Sequence, residues 1–122
     1  MTAPRDEILN WLNAYMQVEK FEDSLPIGLQ VEGRPDVSRV VTAVSACAAV
    51  FEEAVRRRAD MVLVHHGMFW EKEDRVVRGM LKERLKILLD GNISLVGYHL
   101  PLDAHPEIGN NAILADLFDL QE

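Results

Sequence analysis

The chain is short of cysteine, of positive charge and of long apolar runs, and each shortage excludes something. Its single cysteine, Cys47, has no partner for an internal disulfide. The fold must therefore be held by packing, and the sequence fits a reducing compartment such as the cytoplasm. Lys and Arg number 13 against 20 Asp and Glu, for a net charge of −7. That balance lacks the basic face that neutralises phosphates, so no nucleic-acid partner is expected. The local exception, Arg56–Arg57–Arg58, reads as the solvated face of a short helix. No apolar run reaches the length of a membrane span. The opening stretch MTAPRDEILNWL is acidic where a secretory leader is basic, so a soluble cytoplasmic protein without a membrane partner is expected. GxSxG, the P-loop, GxGxxG and HExxH are all missing, which removes the motif-based grounds for several catalytic classes.

What is present suits one globular domain over residues 1–122. Hydrophobic residues make up 48% and charged residues 27% of the chain, and a chain of this length can bury a core without staples. Ile8, Trp11, Leu12, Tyr15 and Met16 recur at helical spacing and predict a helix from Thr2 to Val18, with Pro4 in its first turn. Phe21–Pro35, with two prolines and two glycines, reads as a loop with a short extended piece. An alternation follows. Ser38–Ala46 reads as a buried strand, Ala48–Ala59 as an amphipathic helix and Met61–Val64 as a second strand. Val77, Met80, Leu81, Leu85 and Leu88 mark a third helix that stops at Gly91–Asn92. Ile93–Tyr98 reads as a third strand, and Ile113, Leu114, Leu117 and Phe118 mark a fourth helix. Apolar strands alternating with amphipathic helices predict an α/β fold, a largely parallel sheet with helices on both faces.

In such sheets ligands bind beyond the carboxyl ends of the strands. All four histidines fall there: His65 and His66 after the second strand, His99 and His105 after the third, with Asp103 and Glu107. Adjacent histidines inside a regular strand point to opposite faces. At a strand end the chain turns, and both rings can approach one site, with Gly67 expected to allow the sharp turn. The pair His65–His66 together with the HxxxD of His99 and Asp103 points to a metal site. Simpler readings stand beside it: hydrogen-bonded core histidines, or Asp103 as a cap of the last helix. His105 and Glu107 read as surface residues and Cys47 as a small buried hydrophobe. Met68, Phe69 and Trp70 read as a wall beside the site.

Three stretches, GLQVEG (Gly28–Gly33), HHGMFW (His65–Trp70) and GYHLPLDAHPEIGNNAILA (Gly97–Ala115), occur in that order. Together they resemble the GTP cyclohydrolase I type 2 homologues, the dinuclear-metal family also called Nif-three-like proteins. The resemblance runs from the first helix to about Leu117. It implies the α/β fold, up to two divalent ions (zinc, manganese or iron), and His65, His66 and Asp103 as ligands. His99 corresponds to a histidine beside the same site, a further ligand or a support for one. The implied reaction is hydrolysis of a purine ring or a related bond in a small nucleotide substrate. The alternative is a metal-binding or protein-interaction module without turnover. The likeness departs at Ile27, where the family usually has asparagine. Members are also longer, and their second half adds a further His and Glu to the metals. The expectation is an N-terminal half whose site is completed by a C-terminal half, or by another chain in a homo-oligomer such as the family's toroidal assemblies.

Overall fold

A computed structural model of the chain describes residues 1–121. In chain order its elements are β1 (Ala3–Pro4), α1 (Arg5–Tyr15), β2 (Gly28–Val31), β3 (Asp36–Val37) and β4 (Val40–Ser45). Then come α2 (Ala48–Arg56), β5 (Met61–His66), α3 (Gly79–Gly91), β6 (Ser94–Gly97), α4 (Leu100–Asp103) and α5 (Asn110–Leu117). The main sheet has the order β2-β6-β5-β4. β4, β5 and β6 are parallel, and β2 runs antiparallel along the β6 edge. The expected parallel sheet is therefore present, and the extended piece in the Pro- and Gly-rich segment becomes its antiparallel edge.

The strands sort their residues with a period of two. Val62, Val64 and Leu95 join Phe51 and Ala54 of α2 and Leu88 of α3 in one buried cluster. Met61 and Val96 join Leu9 of α1, Met16 and Tyr98 in the other. Helices thus cover both faces. Phe51, Met61, Val62, Leu88, Leu95 and Val96 are fully buried, each contributing about 1.5–3 kcal/mol by area.

Several boundaries differ from the sequence reading. α1 starts at Arg5, because Ala3 and Pro4 pair with Val37 and Asp36 in a small antiparallel ribbon. It ends at Tyr15, and Gln17 takes a left-handed conformation (φ 51°). α3 ends as its sequence predicts, with Asn92 as a left-handed cap (φ 51°). β4 is not the buried strand that its valines suggest. It is an edge strand whose Val41 and Ala43 pack inward, while Val40, Thr42 and Val44 are exposed. That second face is left largely open, with Val44 66% exposed. The apolar row of α5 is likewise uncovered, with Ile113, Leu117 and Phe118 more than half exposed. No helix among the described residues is long and apolar enough to cross a membrane.

The lower end of the sheet is tied by Asp60, just before β5. Its carboxylate accepts hydrogen bonds from the Ser38 backbone N–H (2.8 Å), the Ser38 hydroxyl (3.0 Å) and the Arg39 N–H (3.0 Å). It also pairs with the Arg34 guanidinium at 3.0 Å. Its backbone carbonyl accepts the Ser94 N–H at 3.0 Å, so one residue fixes the starts of β4, β5 and β6. Burial alone raises the Asp60 carboxyl; the hydrogen bonds from Ser38 and Arg39 and the charge of Arg34 outweigh it and hold the group below its ordinary range. The folded state then binds fewer protons than the unfolded chain. The stabilisation is complete above the unfolded value of about 4 and is lost as pH falls through the lower folded value. Asp60→Asn turns an accepting oxygen into a donor facing donors, and should cost about 1–3 kcal/mol at neutral pH. Urea unfolding should show that gap narrowing as pH falls below about 4, where the unfolded chain takes up a proton that the folded carboxylate does not yet accept. Equal midpoints for the two proteins at pH 7 would exclude this anchoring role.

Candidate metal centre

His65 and His66 are the last two residues of β5, and His99 follows β6. The parallel register pairs Val64 with Gly97, and the Tyr98 N–H donates to the Val64 carbonyl at 3.1 Å. Those pairings bring His65 level with Tyr98 and His66 level with His99. β5 runs through both histidines rather than ending before them, yet their rings still lie side by side, 4.4 Å apart between centroids. The His99 ring is 5.2 Å from His65 and 5.4 Å from His66. One ligand atom from each of the three lies within 4.8 Å of the others, close enough for a single ion. His66 is the most open of the three. Partial burial lowers its imidazole pKa, the neighbouring His65 and His99 lower it further, and Asp103 opposes them. A neutral ring with a free lone pair follows, which is the form that binds metals.

Hydrogen bonds decide which nitrogen of His65 is available. Nδ1 lies 3.2 Å from the Tyr98 carbonyl, an acceptor only, so in the neutral ring Nδ1 carries the proton and Nε2 the lone pair. That Nε2 faces an oxygen of Asp103 at 3.2 Å. Two acceptors face each other, and the nearby donor is the Asn110 amide, 2.7 Å from Asp103 but 3.4 Å from His65. A cation would satisfy both atoms at once. Three imidazoles and one carboxylate form a donor set suited to zinc, manganese or iron, and the arrangement fits such an ion. Asp103 reaches the cluster through His65, and His99 sits in it as fully as the other two histidines.

Two supports lie outside the expected ligand set, Asp23 in none of the three stretches and Gln30 within GLQVEG. Asp23 has a side chain only 1% exposed. Its oxygens lie 3.1 Å from His99 Nδ1 and accept the backbone N–H groups of Leu100 (3.0 Å) and Ser24 (2.7 Å). Burial raises this carboxyl, but the hydrogen bonds from Leu100, His99 and Ser24 prevail and hold it below its ordinary range. The second support is Gln30. β2 bulges between Leu29 and Val31, and a bulge re-aims the side chain it carries. The Gln30 amide lies over the turn after His66, where its oxygen accepts the Met68 N–H at 2.6 Å and its nitrogen donates to the Pro26 carbonyl at 2.8 Å.

Gly67 serves this contact rather than the turn itself. It has no left-handed φ; the left-handed residue of the turn is Phe69 (φ 68°). A Cβ on Gly67 would sit 2.3 Å from the Gln30 amide. Of the expected apolar wall, Met68 and Phe69 pack into the core, and Trp70 alone stands against the site, edge-on to His99 with ring centroids 5.2 Å apart. An open concavity of about 530 Å³ adjoins His65, lined by Thr42, Val44, Leu63, Tyr98, Leu102 and Ile108 among others.

His105 is not the surface residue that the sequence suggests. It is buried, its Nδ1 accepts the N–H groups of Glu107 (3.2 Å) and Ile108 (3.3 Å), and Tyr15 packs on its ring. It closes the turn between α4 and α5. Glu107 is exposed and accepts the Tyr15 hydroxyl. Cys47 is half-buried at the start of α2, and Ile27 packs partly buried against the α1-side cluster.

The model of the Duf34/NIF3 (NGG1p interacting factor 3) family matches residues 3–122. The chain belongs to the DUF34/NIF3 family. A relative from Yersinia pestis named GTP cyclohydrolase 1 type 2 homolog is 56% identical over 115 residues, covering 94% of this chain and 47% of the relative. The solved structure of protein ybgI, of unknown function, superposes with a TM-score of 0.92 at 50% identity, covering 94% of this chain and 47% of that one. A structure from Thermus thermophilus gives a TM-score of 0.88 at 44% identity, covering 93% of this chain and 47% of that one. The chain spans about half the length of the curated relatives it matches.

Within this DUF34/NIF3 chain the Gly67–Gln30 contact makes a direct test of how the ligand turn is held. Gln30→Ala and Gly67→Ala should each destabilise by about 1–3 kcal/mol, the first by orphaning the Met68 N–H, the second by displacing the amide that serves it. Made together they should cost little more than Gln30→Ala alone, because the new Cβ then meets no amide. A double-mutant cycle by chemical denaturation with strictly additive costs would show that the two residues act independently.

Proposed function

We propose that this chain binds a divalent metal ion through His65, His66, His99 and Asp103 and so supplies one side of a hydrolytic metal centre. The observation that carries this reading is the approach of His65 Nε2 to the Asp103 carboxylate at 3.2 Å while His65 Nδ1 is committed to Tyr98. When bound, such an ion polarises the bond under attack and activates water at neutral pH. The chain's own part is to hold the donors. The Tyr98 carbonyl presents the lone pair of His65, Asn110 steadies Asp103, and Trp70 screens one side of His99 from water. The concavity beside His65 offers apolar walls against which a flat ring could lie. Together with the name of the Yersinia pestis relative, this supports a purine nucleotide as the substrate class and hydrolytic ring opening as the reaction. A second ion would draw on ligands from a C-terminal half or a further copy of the chain, in keeping with the half-length match.

The second reading, a metal-binding or interaction module without turnover, is favoured by the uncovered apolar row of α5. Metal content and turnover separate the two. Protein purified without chelators should carry near-stoichiometric zinc, manganese or iron by elemental analysis. His66→Ala, whose ring lies in the cluster, should lower the affinity at least about 10–100-fold. Cys47→Ala should leave the affinity unchanged. Metal retained in His66→Ala but lost in Cys47→Ala would overturn the ligand assignment. Stoichiometric metal with no hydrolysis of purine nucleotides, alone or with a C-terminal half, would favour the module.

A further inference from the structure

We infer that Asp23 is a positioning residue of the metal centre: it fixes the proton of His99 on Nδ1 and so turns His99 into a third imidazole ligand. This rests on the metal reading above and goes beyond it, because it assigns a role to a residue outside every motif. The Asp23 carboxylate is almost completely buried, and among the described residues its one ion-pair partner is His99. Among those residues no Lys or Arg neutralises it. A buried anion without such a partner is expensive unless its donors are fixed, and here they are: two backbone N–H groups and one ring nitrogen. An ionised carboxylate only accepts, so the nitrogen facing it must be protonated. In the neutral ring Nε2 then keeps the lone pair, and that ring lies against His65 and His66.

The same loop reaches the other ligand strand. The Ser24 carbonyl accepts the Glu71 N–H at 2.7 Å, so Asp23 and Ser24 together bind the segments that follow β5 and β6. His65 and His99 are thereby oriented in the same sense, each through Nδ1. The difference is that Tyr98 offers His65 a neutral carbonyl, while Asp23 offers His99 a full negative charge. That charge adds a second anion, after Asp103, opposite the two positive charges of a divalent ion.

The test reads the ring before it reads the metal. Nitrogen-15 NMR of the metal-free protein above pH 8 should show His99 as the Nδ1–H tautomer in wild type. In Asp23→Asn the Nε2–H form should rise, since the amide can donate to Nδ1. Zinc calorimetry on the two proteins should give an affinity about 10–100-fold weaker in the variant. A wild-type His99 protonated on Nε2 would overturn the inference without any variant, and so would an Asp23→Asn protein with unchanged tautomer and unchanged zinc affinity. Should wild type bind no zinc, the metal reading falls by itself. The tautomer then decides the hold of Asp23 on His99 alone: a switch in Asp23→Asn supports it and no switch removes it.

Discussion

The parallel pairing of β5 with β6 is the constraint on which the rest depends. Val64 opposite Gly97 puts the last two residues of one strand beside the first two residues beyond the other. Three of the four histidines thereby share the carboxyl end of the sheet, although His65 and His66 lie far from His99 in the chain. A slip of one residue would carry His65 away from the Tyr98 carbonyl and turn the strand's side chains to the opposite face. The register is protected from such a slip by the two-sided burial of Met61, Val62, Leu95 and Val96. It is also protected by Asp60, which ties the opposite end of the same strands.

Register alone brings rings together but does not aim them. The segment from Asp23 to Gln30 does that. Asp23 grips His99 and Leu100, Ser24 grips Glu71, and Gln30 grips Met68. The irregular run before β2 is thus a clamp laid across the two turns that carry the candidate ligands. Its hydrogen bonds are individually modest, about 0.5–1.5 kcal/mol net. Their value lies in where they act. A free turn would have to be ordered before its side chains could act together, at about 1–2 kcal/mol of backbone entropy per residue. Phe69 shows the cost of the arrangement, since a bulky residue holds a left-handed conformation there.

What is legible in the sequence is whatever repeats locally. The strands and helices follow from apolar periodicity, and the histidines and Asp103 stand out because they sit where strands end. Asp23 and Asp60 do not stand out, and Gln30, though inside the GLQVEG stretch, is not marked there as a partner of the turn after His66. Each is a single polar residue whose partners lie 76, 38 and 22 residues away, and no local pattern announces such a contact. His105 escapes for a different reason: a histidine that accepts two backbone N–H groups looks, in sequence, like any polar residue in a turn. Gly67 suggests conformational freedom when its role is to leave room for Gln30. β4 carries valines on both faces, and whether both faces are covered depends on what packs there, which periodicity does not report.

The count of donors bears on whether the centre can turn over substrate. With His65, His66, His99 and Asp103 all on one ion, zinc would have the four protein ligands typical of a closed structural site. Manganese and iron accept larger coordination numbers, and the same four donors would leave positions open. Charge points the same way. Asp103 directly and Asp23 through His99 supply two negative charges, which match one divalent ion. A second ion would need further carboxylate from outside the described residues. The chain's own donor set would therefore suit one ion in full. On this view the choice between a closed site and a catalytic one is made by the metal taken up and by what approaches the open side of His66, more than by the three histidines themselves.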